Sequence, residues 1–208
     1  MTRKRHFYQP KDGHRLVHDP FNSIIAPRPI GWVSTKSAEG QVNLAPYSFF
    51  NAFNYQPPII GFSSIGFKDS LKNAQQSGEF CWNLVSRPLA EAMNQTSATV
   101  SSDIDEFELA GLRKRDSTIV SVPHVADCPV VMECKTTQIL QLQSVQGEKC
   151  ATWLVLGEVV GVHILASFIE DGVYQTVAAE PVLRGGGPAD YFGISEANKF
   201  QLFRPKTD

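Results

Sequence analysis

Residues 28–64 read RPIGWVSTKSAEGQVNLAPYSFFNAFNYQPPIIGFSS. Two apolar runs bounded by Pro, Gly and Ser, at 29–35 and 59–63, predict β-strands. The residues between them, 45–58, mix small, polar and aromatic side chains and predict a long loop. Further apolar and β-branched runs predict strands at 79–85, 130–137 and 151–165. Several strands without long helices between them favour a barrel or a sandwich over a parallel sheet.

The predicted helices are few and short. After the second strand comes FKDSLKNAQQSGEF, residues 67–80, which predicts a helix from Lys68 to Gln76 that ends at Gly78. Asp69 and Ser70 are the candidate N-cap residues of this helix. Two more short helices are predicted, one after Ser86 and one within 105–112.

The composition is that of an ordinary globular protein: 208 residues, 42% hydrophobic and 19% charged. No repeat or change in composition divides the chain, so we predict a single domain over residues 1–208. Its core is expected at about 22–166, and the residues from 185–187 onward are expected to pack as a tail on the barrel or on a partner subunit.

Charge and cysteine spacing narrow the function classes. A net charge of -2 offers no broad basic surface, so no nucleic-acid partner is expected. The four cysteines form no C-x-x-C pair, as expected for reduced thiols in a cytoplasmic protein. The basic start MTRKRH is not followed by an apolar run, which argues against a signal peptide, and the apolar stretch 153–165 is too short to cross a bilayer. We therefore expect no membrane association.

Several common catalytic motifs are absent from the sequence. It contains no G-x-G-x-x-G, no G-x-x-x-x-G-K-[ST] and no G-x-S-x-G. His14 and His18 are four residues apart, but Gly13 and Pro20 flank them and no carboxylate lies between them. We therefore predict no metal site.

The start of the helix after Lys68 is a candidate phosphate site. A helix start offers unpaired N–H groups and a partial positive charge, and here Lys68 and Ser70 add an ammonium and a hydroxyl. Ser63 and Ser64, at the end of the preceding strand, could face the same point. The alternative is that Ser70 or Asp69 only caps the helix and that Lys68 is solvated.

The loop at 45–58 could hold a flat heterocycle with one polar edge. It offers hydrogen-bonding groups beside aromatic surface, a mixture that is typical of small-molecule sites. The candidates for backbone and side-chain hydrogen bonds are Pro46, Tyr47, Ser48, Asn51 and Asn54. Its three phenylalanines, Phe49, Phe50 and Phe53, could instead pack into a core.

Five segments in order carry a family resemblance: RPIGWVST, NLAPYSFFNAFNYQPPIIGFSS, KDSLKNAQQSGEFCWNLV, LGEVVGVHI and RGGGPADYF with FRP. In this order they resemble the flavin-reductase-like family of FMN-binding split barrels, and in particular the branch of the flavin-reductase component of nitrilotriacetate monooxygenase. The resemblance implies a mainly β fold, a six-stranded antiparallel Greek-key barrel with a few short peripheral helices. It also implies a homodimer with FMN in two sites near the subunit interface.

The resemblance also implies which residues bind the cofactor. Those implied at the flavin ring and ribityl chain are Trp32, Val33, Ser34, Thr35, Ala45, Pro46, Tyr47, Ser48 and Asn51. Those implied at the phosphate are Ser63, Ser64, Lys68, Asp69 and Ser70.

One departure from the family pattern concerns the reductant. Many reductases of the family carry Gly-Asp-His before the late strand, at a position associated with the nicotinamide, whereas this chain has Gly147, Glu148, Lys149 and Cys150. His163, later in that strand, is a candidate on the nicotinamide side, and the alternative is a hydrogen-bonded barrel histidine. Arg184 and Tyr191 could also reach the site from the tail.

The resemblance therefore implies an FMN-dependent oxidoreductase that uses NAD(P)H. Electrons would pass to free flavin, a partner oxygenase, ferric chelates or oxygen, since the flavin performs the electron chemistry. One alternative is a non-catalytic FMN-binding protein or electron carrier that another protein reduces. Another is a split barrel that binds a different ligand, such as haem or pyridoxal phosphate.

Overall fold

The computed structural model describes residues 3–205, and strands dominate it. The helices are α1 (Phe21–Ile24), α2 (Asp69–Ser77), α3 (Ala90–Gln95) and α4 (Glu106–Leu109), with 3-10 turns at Pro10–Asp12, Arg87–Leu89, Ala166–Phe168 and Glu196–Asn198. The strands are β1 (Arg28–Pro29), β2 (Gly31–Lys36), β3 (Val42–Tyr47), β4 (Phe50–Tyr55), β5 (Pro58–Ile65), β6 (Glu79–Asn83), β7 (Lys114–Arg115), β8 (His124–Val125), β9 (Val130–Gln143), β10 (Lys149–Ile164), β11 (Ile169–Glu170), β12 (Val173–Tyr174), β13 (Val182–Arg184) and β14 (Tyr191–Gly193).

The main sheet has seven strands in the order β3-β2-β6-β9-β10-β5-β4. Every neighbouring pair in it is antiparallel. The mainly β split-barrel class with short peripheral helices is therefore confirmed. The sheet has one strand more than the six that were predicted.

The additional strand comes from the segment predicted as a loop, and that prediction was wrong. Most of residues 45–58 belong to β3 and β4, which are the two edge strands of the sheet. An edge strand pairs on one side only, so Pro46 can stand opposite Trp32 without breaking a second ladder. The polar residues of β4 are exposed, as an edge strand permits.

Aromatic side chains hold the curled sheet together from within. The ring centroids of Tyr47 and Phe62 are 4.6 Å apart. Tyr47 lies on β3, at one edge of the sheet, and Phe62 lies on β5, next to the strand at the other edge. Phe62 in turn meets Phe80 of β6 edge-on, at 5.6 Å. Gly157 on β10 lets the Phe80 ring approach the backbone, since a Cβ there would lie 2.3 Å from Phe80 Cε1. This inner cluster brings the two sheet edges towards each other.

The second core cluster lies on the outer face of the sheet. Trp32, Phe107 and Val122 are fully buried there, under α3, α4 and the segment that follows α4. Trp32 and Val33 are successive residues of β2 but belong to different clusters, as strand alternation requires. Because β2 is covered on both faces, its side chains are all buried except at its last residue.

Helix α2 has the predicted extent within one residue at each end. It ends at Gly78, whose φ of 72° is left-handed, as predicted. Its N-cap is Lys68, one residue before the predicted candidates Asp69 and Ser70, and no side chain caps it. The Ser70 hydroxyl instead accepts a hydrogen bond from Asn43 Nδ2.

The chain after β10 folds back on the region before β2. β13 pairs with β1 and with β14 in a three-stranded sheet. No helix among residues 3–205 is long and apolar enough to cross a membrane. The single-domain assignment stays a prediction, and residues 1–2 and 206–208 of that domain lie outside the described residues.

Candidate functional site

A cleft of about 310 Å³ opens between β3, the start of α2, the segment after α3 and the start of α4. We call it the α2 cleft. Its lining consists of Asn43, Ala45, Pro46, Tyr47, Phe67, Lys68, Asp69, Ser70, Thr96, Ser97, Ala98, Thr99, Val100 and Glu106. One wall is apolar and aromatic, and the floor and the helix end are polar.

A buried hydrogen-bond network forms the floor of the α2 cleft. Asn43 Nδ2 donates to Ser70 Oγ over 2.7 Å, and both side chains are buried. The Tyr47 hydroxyl also interacts with the hydroxyls of Ser70 and Ser64. Burial raises the pKa of Tyr47, and these two hydroxyls oppose the rise only in part. The phenol therefore stays neutral, and the network holds Ser70 in the floor rather than at the helix cap.

The start of α2 is suited to an anion. Lys68 has an extended backbone, and the first intrahelical bond runs from Lys72 N–H to its carbonyl over 2.9 Å. The first-turn N–H groups have no side-chain cap and carry the partial positive end of a helix of nine residues. The Lys68 side chain is exposed beside them and adds a full positive charge. Asp69, in the same first turn, sets one negative charge against that of Lys68, so the helix end itself is what favours an anion here.

Glu106 contributes an acceptor to the opposite wall. Its Oε2 accepts the Leu44 N–H over 3.0 Å, which satisfies one donor on the open edge of β3. Only 8% of Glu106 is exposed. Burial raises the pKa of this carboxyl more than the Leu44 hydrogen bond lowers it.

Sequence reasoning missed Glu106, Asn43 and residues 96–100. Glu106 meets Leu44 across 62 positions of sequence, so no local pattern signals the contact. Asn43 lies just before the quoted loop, and its partner Ser70 is 27 positions away. A run of small polar residues, TSATV at 96–100, was the one local signal available.

The structure gathers six of the predicted residues in the α2 cleft. They are Ala45, Pro46, Tyr47, Lys68, Asp69 and Ser70. Ser64 is buried beneath them, and its hydroxyl donates to the Gly66 carbonyl over 3.0 Å.

Four predicted flavin contacts on β2 lie behind the cleft instead of in its wall. Trp32, Val33, Ser34 and Thr35 have 0% exposure, because β2 is an inner strand with a core on each face. Trp32 Nε1 donates to Thr96 Oγ1 over 2.9 Å, and Thr35 accepts from Asn73 of α2 over 3.2 Å. These side chains therefore offer no surface to a ligand. Through their hydrogen bonds, Trp32 and Thr35 position Thr96 and helix α2, which line the cleft.

Asn51 and Ser63 line a different cleft of about 440 Å³, on the other side of the β3–β4 turn. Residues 24–29, Phe49, Phe50, Phe53 and Leu154 complete its walls. We call it the Arg28 cleft, after its one charged side chain. Ser48 lies in the turn between the two clefts, and its carbonyl accepts from Arg28 Nε over 3.1 Å.

His163 lies in neither cleft. Its Nε2 is 2.5 Å from Oε1 of Glu133, a fully buried carboxylate that also accepts three backbone N–H groups of residues 118–120. Strand pairing places His163 in one row with Val131, Asn83, Trp32 and Pro46. Four strand spacings separate it from Pro46, roughly 19 Å along the sheet. Within one chain, therefore, His163 is a neighbour of Glu133 and not of the α2 cleft.

Arg184 and Tyr191 interact with each other in the tail. The Arg184 guanidinium carbon lies 5.0 Å from the centroid of the Tyr191 ring, and its N–H groups donate to backbone carbonyls of the same tail. Neither residue lines the α2 cleft. Among residues 3–205, no group of three His, Cys, Asp or Glu side chains is arranged to hold a metal ion.

Residues 24–178 match the family model described as flavin reductase like domain. The chain belongs to the flavin reductase-like family. This confirms the resemblance carried by the ordered segments. An uncharacterised relative from Halalkalibacterium halodurans is 37% identical over 201 residues, which cover 94% of this chain and 92% of the relative.

Two solved structures extend the comparison. Nitrilotriacetate monooxygenase component B from Bacillus cereus superposes with a TM-score of 0.82 and 29% identity, covering 97% of this chain and 98% of that one. The Pseudomonas fluorescens 2-nitrobenzoate 2-nitroreductase NbaA gives a TM-score of 0.77 and 29% identity, covering 89% and 88%. This flavin reductase-like chain thus shares the fold of both over most of its length.

Proposed function

We propose that the chain binds FMN in the α2 cleft and acts as a flavin reductase-like oxidoreductase with NAD(P)H as reductant. The observation that carries the proposal is the uncapped start of α2 beside Lys68, at one end of a cleft with a polar floor and an apolar wall. FMN combines a phosphate, a polyol chain and a flat ring, and each part needs a different lining.

The lining of the α2 cleft fits these three parts. The first-turn N–H groups of α2 and the Lys68 ammonium suit the phosphate. Asn43 and Glu106 offer hydrogen-bonding groups to the ribityl hydroxyls. The surfaces of Pro46 and Phe67 suit the ring.

The chain's own residues bind and orient rather than react. Bound FMN supplies the electron chemistry, accepting a hydride and passing electrons on. Lys68 and the α2 start would fix one end of the cofactor, and the Asn43–Ser70–Tyr47 network would keep the floor in one arrangement. Trp32 and Thr35 hold Thr96 and α2 at their places from behind the cleft.

The proposed reductant and acceptor rest on the similarity to the family. We infer that NAD(P)H reduces the flavin and that electrons leave to free flavin, a partner oxygenase, ferric chelates or oxygen. The similarity to a monooxygenase component B supports an oxygenase partner. A second candidate function is an electron carrier reduced by another protein. One observation favours it: Gly147-Glu148-Lys149, at the end of the β9–β10 turn and the start of β10, stands where many family reductases have Gly-Asp-His.

We further propose a cytoplasmic homodimer with a two-fold axis. Large apolar side chains are exposed in the segment before α2 and on β9, including Ile65, Phe67 and Leu140. A second copy covering this surface would remove it from water. The cysteines of the described residues are all unpaired, as in a reducing compartment.

The test is the visible spectrum of the purified protein, followed by anaerobic mixing with NADH and with NADPH. We expect a two-band flavin spectrum, release of FMN and not FAD on denaturation, and bleaching of the bound flavin by one of the nucleotides. If the flavin stays oxidised for minutes with both nucleotides, the electron-carrier function is favoured over the reductase function. Recovery of FAD alone, or failure of the protein to bind added FMN, would remove the proposal.

A further inference from the structure

The Arg28 cleft has a lining that the FMN proposal does not use. Its volume of about 440 Å³ exceeds that of the α2 cleft, and its walls are mainly apolar and aromatic. Clefts of this size with a few polar groups are typical small-molecule sites. Its one charged side chain, Arg28, decides which ligand it suits.

Arg28 is a buried cation whose partners are all neutral. It is 7% exposed, and four of its five N–H groups donate to backbone carbonyls. Nε donates to Ser48 over 3.1 Å, Nη1 to Ile25 over 2.8 Å and also to Asn22, and Nη2 to Gly185 over 2.9 Å. One N–H of Nη2 remains. No carboxylate of residues 3–205 lies within 4.0 Å of this guanidinium.

Arg184 places a second positive charge near Arg28. Burial lowers the pKa of Arg28, and repulsion from Arg184 adds to the effect. An arginine nevertheless stays protonated at neutral pH. Arg184 likewise donates to backbone carbonyls, of Gly185 and Asp190 among others. A buried charge without a counter-charge is unfavourable. An anion that enters this cleft would supply the counter-charge for the Arg28 guanidinium and would be attracted to it.

Flat aromatic surface adjoins this charge. The Phe49 ring centroid lies 5.7 Å from Arg28 Cζ, a cation–π contact that orients both groups. Phe50 is held in place by stacking on Trp82, at 5.5 Å and 6° between planes. Phe53 lies over Gly61, where an added Cβ would be 3.0 Å from its ring. An aromatic ligand can therefore pack against rings that the fold already positions.

We propose that the Arg28 cleft is a binding site for a planar aromatic carboxylate. The carboxylate would meet the Arg28 guanidinium, and the ring would pack against Phe49 and Phe53. The site is separate from the α2 cleft, with Ser48 between them, so it goes beyond the proposed FMN function and does not depend on it.

The experiment is calorimetric titration of the protein as purified with benzoate, benzamide and cyclohexanecarboxylate. Benzoate should bind at least roughly tenfold more tightly than benzamide, because a charge-assisted hydrogen bond is lost in the neutral amide. Cyclohexanecarboxylate should bind more weakly than benzoate, since it cannot stack. Added salt should weaken benzoate and leave benzamide unchanged.

The four hydrogen bonds of Arg28 help to hold the fold, so replacing Arg28 could unfold the chain. The variant that tests the binding site is therefore Phe53→Ala. Phe53 is 53% exposed, and its loss should weaken benzoate roughly fivefold or more. The matched control is Tyr55→Ala, on the same strand, 93% exposed and outside the cleft, which should leave benzoate affinity unchanged. Equal affinities for benzoate and benzamide, no benzoate binding up to roughly 10 mM, or an equal effect of the two variants would each overturn the proposal.

Discussion

Replacing Glu133 by glutamine is expected to destabilise the folded chain by about 3 kcal/mol at pH 7. Glu133 has 0% exposure and accepts N–H groups from Thr118, Ile119 and Val120 as well as a hydrogen bond from His163. Burial alone would raise its pKa, but the hydrogen bond from His163 and those from the three N–H groups outweigh burial. The pKa of Glu133 is lowered from 4.5 to about 2.

The magnitude follows from linkage between protonation and folding. A fall from 4.5 to about 2 means that the folded state prefers the carboxylate by about 3 kcal/mol, at 1.36 kcal/mol per pKa unit. Because the folded pKa is depressed, this contribution is complete above the unfolded pKa of 4.5 and is lost as the pH falls towards 2. At pH 3 about 1 kcal/mol should remain.

Urea denaturation of Glu133→Gln and of the wild type at pH 7 and at pH 3 measures both quantities. For a chain of this length, about 3 kcal/mol corresponds to a fall in Tm of roughly 6–12 °C. Glu148→Gln is the control, because Glu148 is exposed in the β9–β10 turn and should change stability by less than about 0.5 kcal/mol. A Glu133→Gln deficit that is the same at both pH values, or below about 1 kcal/mol at pH 7, would refute the reasoning.

Three further outcomes are expected. His163→Ala should lower Tm by removing a partner of Glu133 and leave FMN affinity unchanged; weaker FMN binding at an unchanged Tm would instead place His163 at the cofactor. Gly157→Ala should cost about 1–3 kcal/mol in urea denaturation, because its Cβ would lie 2.3 Å from Phe80 Cε1, whereas Gly193→Ala meets nothing within 4 Å and should be near neutral. Light scattering should give a dimer at micromolar concentration. A monomer that still binds FMN would show that the cofactor site does not require the dimer interface.

The strands and the fold class were predictable because their signals are local. β5, β6, β9 and β10 lie on apolar, β-branched runs, and α2 ends at the glycine that closes it. The loop at 45–58 was mistaken because small and polar residues also suit edge strands, and edge position is a property of the whole sheet.

The candidate site was predictable where residues adjacent in sequence line the same cleft. Ala45 to Tyr47 and Lys68 to Ser70 form two short runs that meet at one cleft. The roles of Trp32, Glu106 and Glu133 could not be predicted, since each depends on partners at least 13 positions away. The burial of β2 on both faces likewise follows from the topology of the sheet and not from the sequence of β2 itself.

The proposed position of FMN is the α2 cleft, with its phosphate at Lys68. The most direct test is to measure FMN and riboflavin affinity by fluorescence quenching for the wild type and for Lys68→Ala. Lys72→Ala serves as control, on the same helix, exposed and outside the cleft. We expect Lys68→Ala to weaken FMN binding roughly tenfold to hundredfold and to leave riboflavin binding unchanged. We expect Lys72→Ala to affect the binding of neither ligand. An equal loss for FMN and riboflavin in Lys68→Ala, or the same loss in Lys72→Ala, would contradict it.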